Sequence, residues 1–233
     1  MTLFNDDYIL DLCIRMAHHS TAIEGNKLTQ AQTASIILNN YIPQAMNERE
    51  FYEVRNYKVL MPFLMQCLQD KKPLEQKLIC EFHGIVMENL LYNKGQFKKT
   101  QNMIVGAEFE TTQPYQTPVA IYEWCKNLYF KFDNATNEDE KLKAILESHI
   151  HFERIHPFSD GNGRVGRLLM IYSCLEQSIL PIVIPIDQKD RYISILQNLD
   201  IADFIDLAKD LQENEKERMM SFKKQNVIKR KQR

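Results

Sequence analysis

The sequence predicts an all-α fold interrupted by one short β-hairpin. Apolar side chains recur at helical spacing in segment after segment, most of them opened by a capping residue. One stretch alone, residues 95–117, breaks that period and collects glycines, prolines and β-formers. Size adds a third constraint: 233 residues at 44% hydrophobic content can bury one core, and nothing in the chain forces two domains.

Asn5 can cap a first helix, with Asp6 and Asp7 in its opening turn and Tyr8, Ile9, Leu12, Met16 and Ala17 at helical spacing to about Ile23. Gly25-Asn26 is a stop signal, so Glu24 falls at a helix end. Ser20 lies four residues earlier on the same face, which lets both reach one neighbour. Thr29 opens a second helix to about Leu38. Asn47 with Glu50 reads as a capping box for a third, through Val54, Tyr57, Leu60 and Leu64, with a kink expected at Pro62. Pro73 is placed to start a fourth, carried by Leu74, Leu78, Phe82, Ile85 and Leu90 to about Tyr92. The hairpin is expected next, on Phe97, Ile104, Val105 and Phe109. Thr117-Pro118 caps and starts a fifth helix, and Asn137 with Glu140 boxes a sixth that delivers the chain to His156. Beyond a loop, a seventh helix beginning near Arg164 turns Val165, Leu168, Leu169, Tyr172 and Leu175 inward. Asp187 caps an eighth, and a ninth begins near Asp200 and runs into a basic end.

Composition narrows the function classes. The longest apolar run, Ile179 to Ile186, is interrupted by Pro181 and Pro185, so no membrane span is expected. No basic-then-apolar leader precedes Asp6, and a cytoplasmic address is the expectation. The net charge of −2 hides residues 216–233, which hold eight basic side chains against one acid, Glu217. With Phe222 their only aromatic and no base-reading pattern, they read as a solvated helix end and not a nucleic-acid surface. The five cysteines are scattered and set among apolar neighbours, as reduced core thiols are. Glu147, His149, His151 and Glu153 imitate metal-ligand spacing, but His149 and His151 point to different sides of a helix, which favours packing over zinc.

The stretch His156-Pro157-Phe158-Ser159-Asp160-Gly161-Asn162-Gly163-Arg164-Val165-Gly166-Arg167 is where chemistry concentrates. Glycines on either side of Asn162 free the backbone to aim several N–H groups into one concavity, and the helix that follows adds its unsatisfied donors. That is a phosphate cup. Asp160 offers a hard oxygen suited to Mg²⁺ bridging phosphate oxygens. Arg164 and Arg167, three apart, can fork onto separate phosphate oxygens. His156, stiffened by Pro157, can accept a proton from an attacking hydroxyl, and Phe158 can anchor the loop in the core.

The complete run His-Pro-Phe-x-Asp-Gly-Asn-Gly-Arg-x-x-Arg resembles the signature of Fic-domain proteins, most of which transfer AMP from ATP to a hydroxyl of a target protein. A second stretch, Ser20-Thr21-Ala22-Ile23-Glu24-Gly25, is similar to the inhibitory motif that many of them carry on a helix before the core. The resemblance implies a Fic-type helical bundle over residues 1–233, with an inhibitory helix at 1–26, a catalytic core at 47–200, and a C-terminal helix and basic tail at 201–233. It implies that His156 deprotonates the target hydroxyl and Asp160 holds Mg²⁺. Phe158, Gly161, Asn162, Gly163, Arg164 and Arg167 would bind ATP, with Asn162 at the α-phosphate and Arg167 at the γ-phosphate. Ile104, Val105, Gly106, Ala107 and Glu108 would form a flap that aligns the target by strand addition. The family often has arginine where this chain has Lys98. A Glu24 carboxylate on Arg167 would keep the guanidinium from the γ-phosphate, which makes a self-inhibited protein adenylyltransferase the leading reading. The alternatives are removal of AMP with Glu24 positioning water, and a non-catalytic regulatory or nucleic-acid-binding module, against which the intact signature argues. The implied partner is a protein with a modifiable hydroxyl; self-modification and homo-oligomerisation stay open.

Overall fold

A computed structural model describes residues 5–42, 46–103 and 109–231, with 225–231 described by backbone alone. Among these residues the chain forms nine α-helices and no strand: α1 (Asp6–Ile23), α2 (Gln30–Asn39), α3 (Glu48–Gln69), α4 (Gln76–Val86), α5 (Thr117–Asn134), α6 (Glu138–Ile155), α7 (Asn162–Glu176), α8 (Lys189–Asn198) and α9 (Ile201–Lys231). None of them is long and apolar enough to cross a membrane.

Local chemistry accounts for most boundaries. The Asn5 side chain accepts from the Asp7 N–H at the head of α1. Thr29 with Gln32, and Asn47 with Glu50, close reciprocal capping boxes on α2 and α3. At the other end of α1, Gly25 takes φ +101°, a conformation that glycine reaches without strain.

Several boundaries differ from expectation. Pro73 does not open α4, which starts at Gln76 and stops at Val86, short of Tyr92. The reason for the early stop lies across the bundle: the Asn56 amide of α3 donates to the carbonyls of Val86 and Glu88, satisfying groups that a longer helix would use. Thr117 is the first residue of α5 and not its cap, its hydroxyl turned back to the Gln113 carbonyl. Asn137 caps α6, but Glu140 reaches back to the Thr136 N–H, so the expected box is displaced by one residue. The loop helix α7 begins two residues earlier than Arg164, and Asp187 falls within a single 3-10 turn, Ile186–Gln188, ahead of α8.

The expected hairpin is not found among the described residues, and Ile104, Val105, Gly106, Ala107 and Glu108 lie outside them. Residues 95–103 and 109–116 are turns and irregular chain joined by side chains instead of a ladder. Gln101 donates to the Thr111 carbonyl, and the Thr111 hydroxyl donates to the Asn102 carbonyl.

The core is built around α7. Thirteen of its fifteen residues are buried, so it is enclosed on all sides by α1, α3, α4 and α6. Its N-terminus meets the end of α1, the start of α3 and the end of α6, and that junction is where the candidate site lies. The far side of α1 is tied to α9 by a buried cluster: Glu215 accepts from the Tyr8 hydroxyl at 2.6 Å and from both Arg15 terminal nitrogens at 2.8 and 2.7 Å. Asp11 then links Arg15 to Arg218. Part of the basic end is thus paired to α1. The five cysteines are free, four of them buried.

Candidate active site

The 156–167 loop owes its shape to side chains that bind its own backbone. The Asn162 amide accepts from the Phe158 N–H and donates to the Phe158 carbonyl, both at 2.8 Å. Its side chain is therefore committed to the loop, and what it offers an anion is its backbone N–H. Phe158 is fully buried, stacked at 3.7 Å and 3° on His83 of α4. His83 bridges the loop to the preceding turn: its Nδ1 accepts from the Gly95 N–H at 2.7 Å, which leaves Nε2 to donate to the Asp160 carbonyl at 3.0 Å. Burial holds the His83 imidazole down to about 4, so this bridge is neutral. Gly161 turns the corner at φ +81°, where a Cβ would also strike the Met87 sulfur at 2.6 Å.

At the head of α7 no side chain caps the helix, so the N–H groups of Asn162, Gly163 and Arg164 face the cavity as the unsatisfied donors of its first turn. Glu24 lies over them. A Cβ on Gly163 would come within 2.5 Å of Glu24 Oε1, so the carboxylate fills space that a side chain at 163 would contest. The same Oε1 accepts from Arg167 Nη2 at 2.6 Å, while Ser20 takes Arg167 Nε on its hydroxyl and Nη2 on its carbonyl. The two residues of the α1 end thus converge on one guanidinium, as their spacing predicts. Burial would raise the Glu24 carboxyl, but Arg167 outweighs it and holds the group below its ordinary range. The carboxylate sits where an anion would.

Arg164 is buried and held by Glu53 of α3 at 3.2 Å and by Asp160 Oδ1 at 3.3 Å. Asp160 also accepts from Arg49 Nη2 at 2.7 Å and from the Gly161 N–H at 2.6 Å. Burial raises this carboxyl, and Arg49, Arg164 and the Gly161 N–H together overcome that and lower it. An ionised, half-exposed oxygen that already holds a cationic partner is a fit position for a hard divalent ion.

His156 closes α6 in the left-handed conformation, φ +51°, so its ring leaves the helix axis and enters the cavity. Nδ1 lies 3.2 Å from the Glu153 carbonyl, which as a donor leaves Nε2 with its lone pair. Burial lowers the ring below the ordinary histidine range, so it is neutral near pH 7 and able to take a proton. Glu24, Glu153, His156, Gly163, Arg167 and Tyr192 line a cavity of about 180 Å³ whose remaining wall is largely apolar, from Phe109, Ile150, Ile193 and Leu196.

Lys98 anchors the chain entering 104–108. It is buried, its ammonium on Asn102, Thr111 and the Ile155 carbonyl, its N–H on the Pro157 carbonyl, and burial brings it down to about 8. Arg49, Glu53, His83, Asn102, Glu153 and Tyr192 escaped the sequence reading as site residues. Arg49 and Glu53 carry a weak signal, an i,i+4 ion pair on α3; nothing local marks His83.

A helical fold that presents an uncapped helix N-terminus, two buried arginines, a neutral imidazole and an ionised carboxylate has the parts that phosphate binding needs. Residues 73–174 match the family model described as Fic/DOC family. Among curated relatives, it is 25% identical over 193 residues to protein adenylyltransferase fic-1 of Caenorhabditis briggsae, covering 80% of this chain and 36% of that one. It is 28% identical over 186 residues to protein adenylyltransferase Fic of Drosophila willistoni, covering 77% and 35%. The chain therefore spans about a third of the length of these relatives. Of solved structures, a Fic-domain-containing signaling protein from Bacteroides thetaiotaomicron superposes with a TM-score of 0.82 at 22% identity, covering 92% of this chain and 89% of that one. Fic-1 from C. elegans gives 0.78 at 21%, covering 97% and 68%. At such identity these two matches speak for the fold alone.

Proposed function

We propose that this chain is a self-inhibited protein adenylyltransferase that moves AMP from ATP to a hydroxyl of a target protein. The observation that carries the reading is Glu24 lying at once on Arg167 and over the N-terminus of α7, in the position an anion would take. In this reading residues 1–26 inhibit, 47–200 catalyse, 201–233 form a C-terminal helix and basic tail, and a flap at 104–108 aligns the target.

The backbone N–H groups of Asn162, Gly163 and Arg164 receive the phosphates, with Arg164 and Arg167 beside them. Asp160 is the residue to hold Mg²⁺, which when bound neutralises phosphate charge. His156 Nε2 takes the proton of the target hydroxyl. The freed oxygen bonds to the α-phosphorus as the bond to the bridging oxygen breaks, and pyrophosphate leaves in line. While Glu24 holds Arg167, the γ-phosphate is denied its guanidinium, and the triphosphate cannot lie in the direction that in-line attack needs.

Incubation with labelled ATP and Mg²⁺ tests this. Glu24→Gly should transfer label to the protein itself or to a target, wild type should do so weakly, and His156→Ala should not. Equal labelling of all three would refute the reading. Loss of turnover of a pre-modified target in Glu24→Gly would favour AMP removal, with Glu24 positioning water.

A further inference from the structure

One buried acid at the site has no part in this mechanism. The Glu153 side chain lies on α6, three residues before His156. The residue is 8% exposed, and its Oε1 has no hydrogen-bond partner among the described residues. It lines the same cavity as Glu24 and Arg167. Room for it is made by the absence of a side chain at Gly166, where a Cβ would stand 2.1 Å from Glu153 Oε1. A buried carboxyl without a donor is unfavourable as an anion, so either it stays neutral or a nearby cation compensates it.

The groups facing it come from four helices. Arg167 faces it from α7, Glu24 from the end of α1 and Tyr192 from α8; His149 lies one turn before it on α6. Burial holds His149 down to about 3, so it brings no charge, and its Nε2 lies 2.8 Å from the Tyr192 hydroxyl. From α9, Phe204 packs on both rings without charge. Arg154, the cavity's other guanidinium, lies 4.0 Å over the Phe109 ring. His156 is neutral. Arg167 is left as the cation that can compensate Glu153, and it is already paired with Glu24. One guanidinium thus faces two carboxyl groups across the cavity, bonded to Glu24 and beyond ion-pairing distance of Glu153.

We propose that Glu153 is a positioning residue behind Arg167. It holds its proton more tightly while an anion in front, Glu24 or a nucleotide phosphate, occupies the guanidinium, and gives it up more readily when Glu24 has withdrawn and nothing has replaced it. Its proton passes to solvent as Glu24 leaves and returns from solvent as the phosphate arrives. Arg167 is thereby never a buried, unpaired charge during the exchange, and it stays where the phosphate will need it. Burial pushes the Glu153 carboxyl up to about 7, with Arg167 opposing and Glu24 adding to the rise, which has the sign the exchange requires. The inference rests on the phosphate role of Arg167 proposed above.

The test follows the Glu153 carboxyl by ¹³C NMR from about pH 5 to 8, the range over which a group poised near neutrality titrates. The resonance is assigned by its loss in Glu153→Gln. Glu24→Gln removes the competing charge while retaining its shape, and should lower the Glu153 midpoint by about one pH unit or more, a tenfold change in proton affinity. ATP with Mg²⁺ should restore it. If Glu24→Gln does not fold, Glu24→Gly serves. A midpoint that is the same with and without the Glu24 carboxylate overturns the proposal. A midpoint that follows Glu24 but ignores bound ATP supports the carboxylate exchange and counts instead against the phosphate role of Arg167. Calorimetry of ATP binding in two buffers gives a readout that a merely structural Glu153 would not move. Glu24→Gly should take up more protons than Glu24→Gly/Glu153→Gln, by about half a proton per nucleotide near neutral pH; no difference overturns the proposal.

Discussion

Replacing Glu215 with alanine should destabilise the protein severely, although the residue lies on α9 and touches none of the 156–167 loop. Its carboxylate accepts from the Tyr8 hydroxyl at 2.6 Å and from two Arg15 nitrogens at 2.8 and 2.7 Å, and Arg15 and Glu215 are 7% and 5% exposed. Removing one partner of a buried pair strands the other's charge, typically at about 3–5 kcal/mol. Arg15 keeps its bond to Asp11 at 2.8 Å, so the lower end, about 3 kcal/mol, is expected. Denaturant unfolding at equilibrium measures this as a fall in midpoint at unchanged slope. Replacing all three polar groups, as Tyr8→Phe/Arg15→Leu/Glu215→Leu, should recover most of the loss, because no charge is then left unpaired. Lys216→Ala, at an exposed pair with Glu213, should stay within about 0.5 kcal/mol. A Glu215→Ala protein within that same margin would refute the reasoning. Because the cluster fastens α1, which presents Glu24, the variant should also label itself faster than wild type under conditions where it remains folded.

Gly166→Ala places a Cβ 2.1 Å from Glu153 Oε1 and 3.2 Å from both Glu153 Cδ and His149 Cε1, an overpacking that should lose about 1–3 kcal/mol. Gly84→Ala, whose added Cβ meets nothing nearer than 3.9 Å, should not lose stability, and equal unfolding midpoints for the two variants would contradict the steric argument. The buried histidines should cost stability from about pH 6.5 downward, the ordinary value of a histidine, while Glu153 and Glu176, both pushed up to about 7 by burial, act with the opposite sign over the same interval. Burial lowers His83 to about 4 and His149 to about 3, so at these two residues the unfolded chain binds more protons over that interval. The stability these groups contribute is complete above about pH 6.5 and disappears as the pH falls through their folded values, each adding a slope approaching ~1.4 kcal/mol per pH unit. Thermal melts should show His83→Gln and His149→Gln losing less stability than wild type as the pH falls from neutrality to about 4.5, and profiles parallel to wild type in both variants would contradict it.

What could be read without coordinates was whatever depends on neighbours in sequence. Asn5, Thr29 and Asn47 cap the helices they precede because a cap reaches only two or three residues along the chain. The 156–167 loop announced itself because its base, its acid, its glycines and its arginines all lie within twelve consecutive positions. Glu24 was legible through its spacing from Ser20 and through the glycine that ends its helix. The stop of α4 at Val86 was not legible, because the amide that ends it belongs to Asn56, thirty residues away.

The rest of the site was decided by packing. His83 holds the loop from a distance of 77 residues in sequence, Arg49 reaches Asp160 over 111, and Ser20 meets Arg167 over 147. Glu153 reads in the sequence only as one member of a metal-like spacing; packing is what sets it against Gly166 and in one cavity with Arg167. The sequence by itself determined which chemical groups are present and which helices carry them, because capping and periodicity are short-range. Only the tertiary structure decided which charges share a partner, since that depends on how deeply each is buried and which helices come to enclose α7.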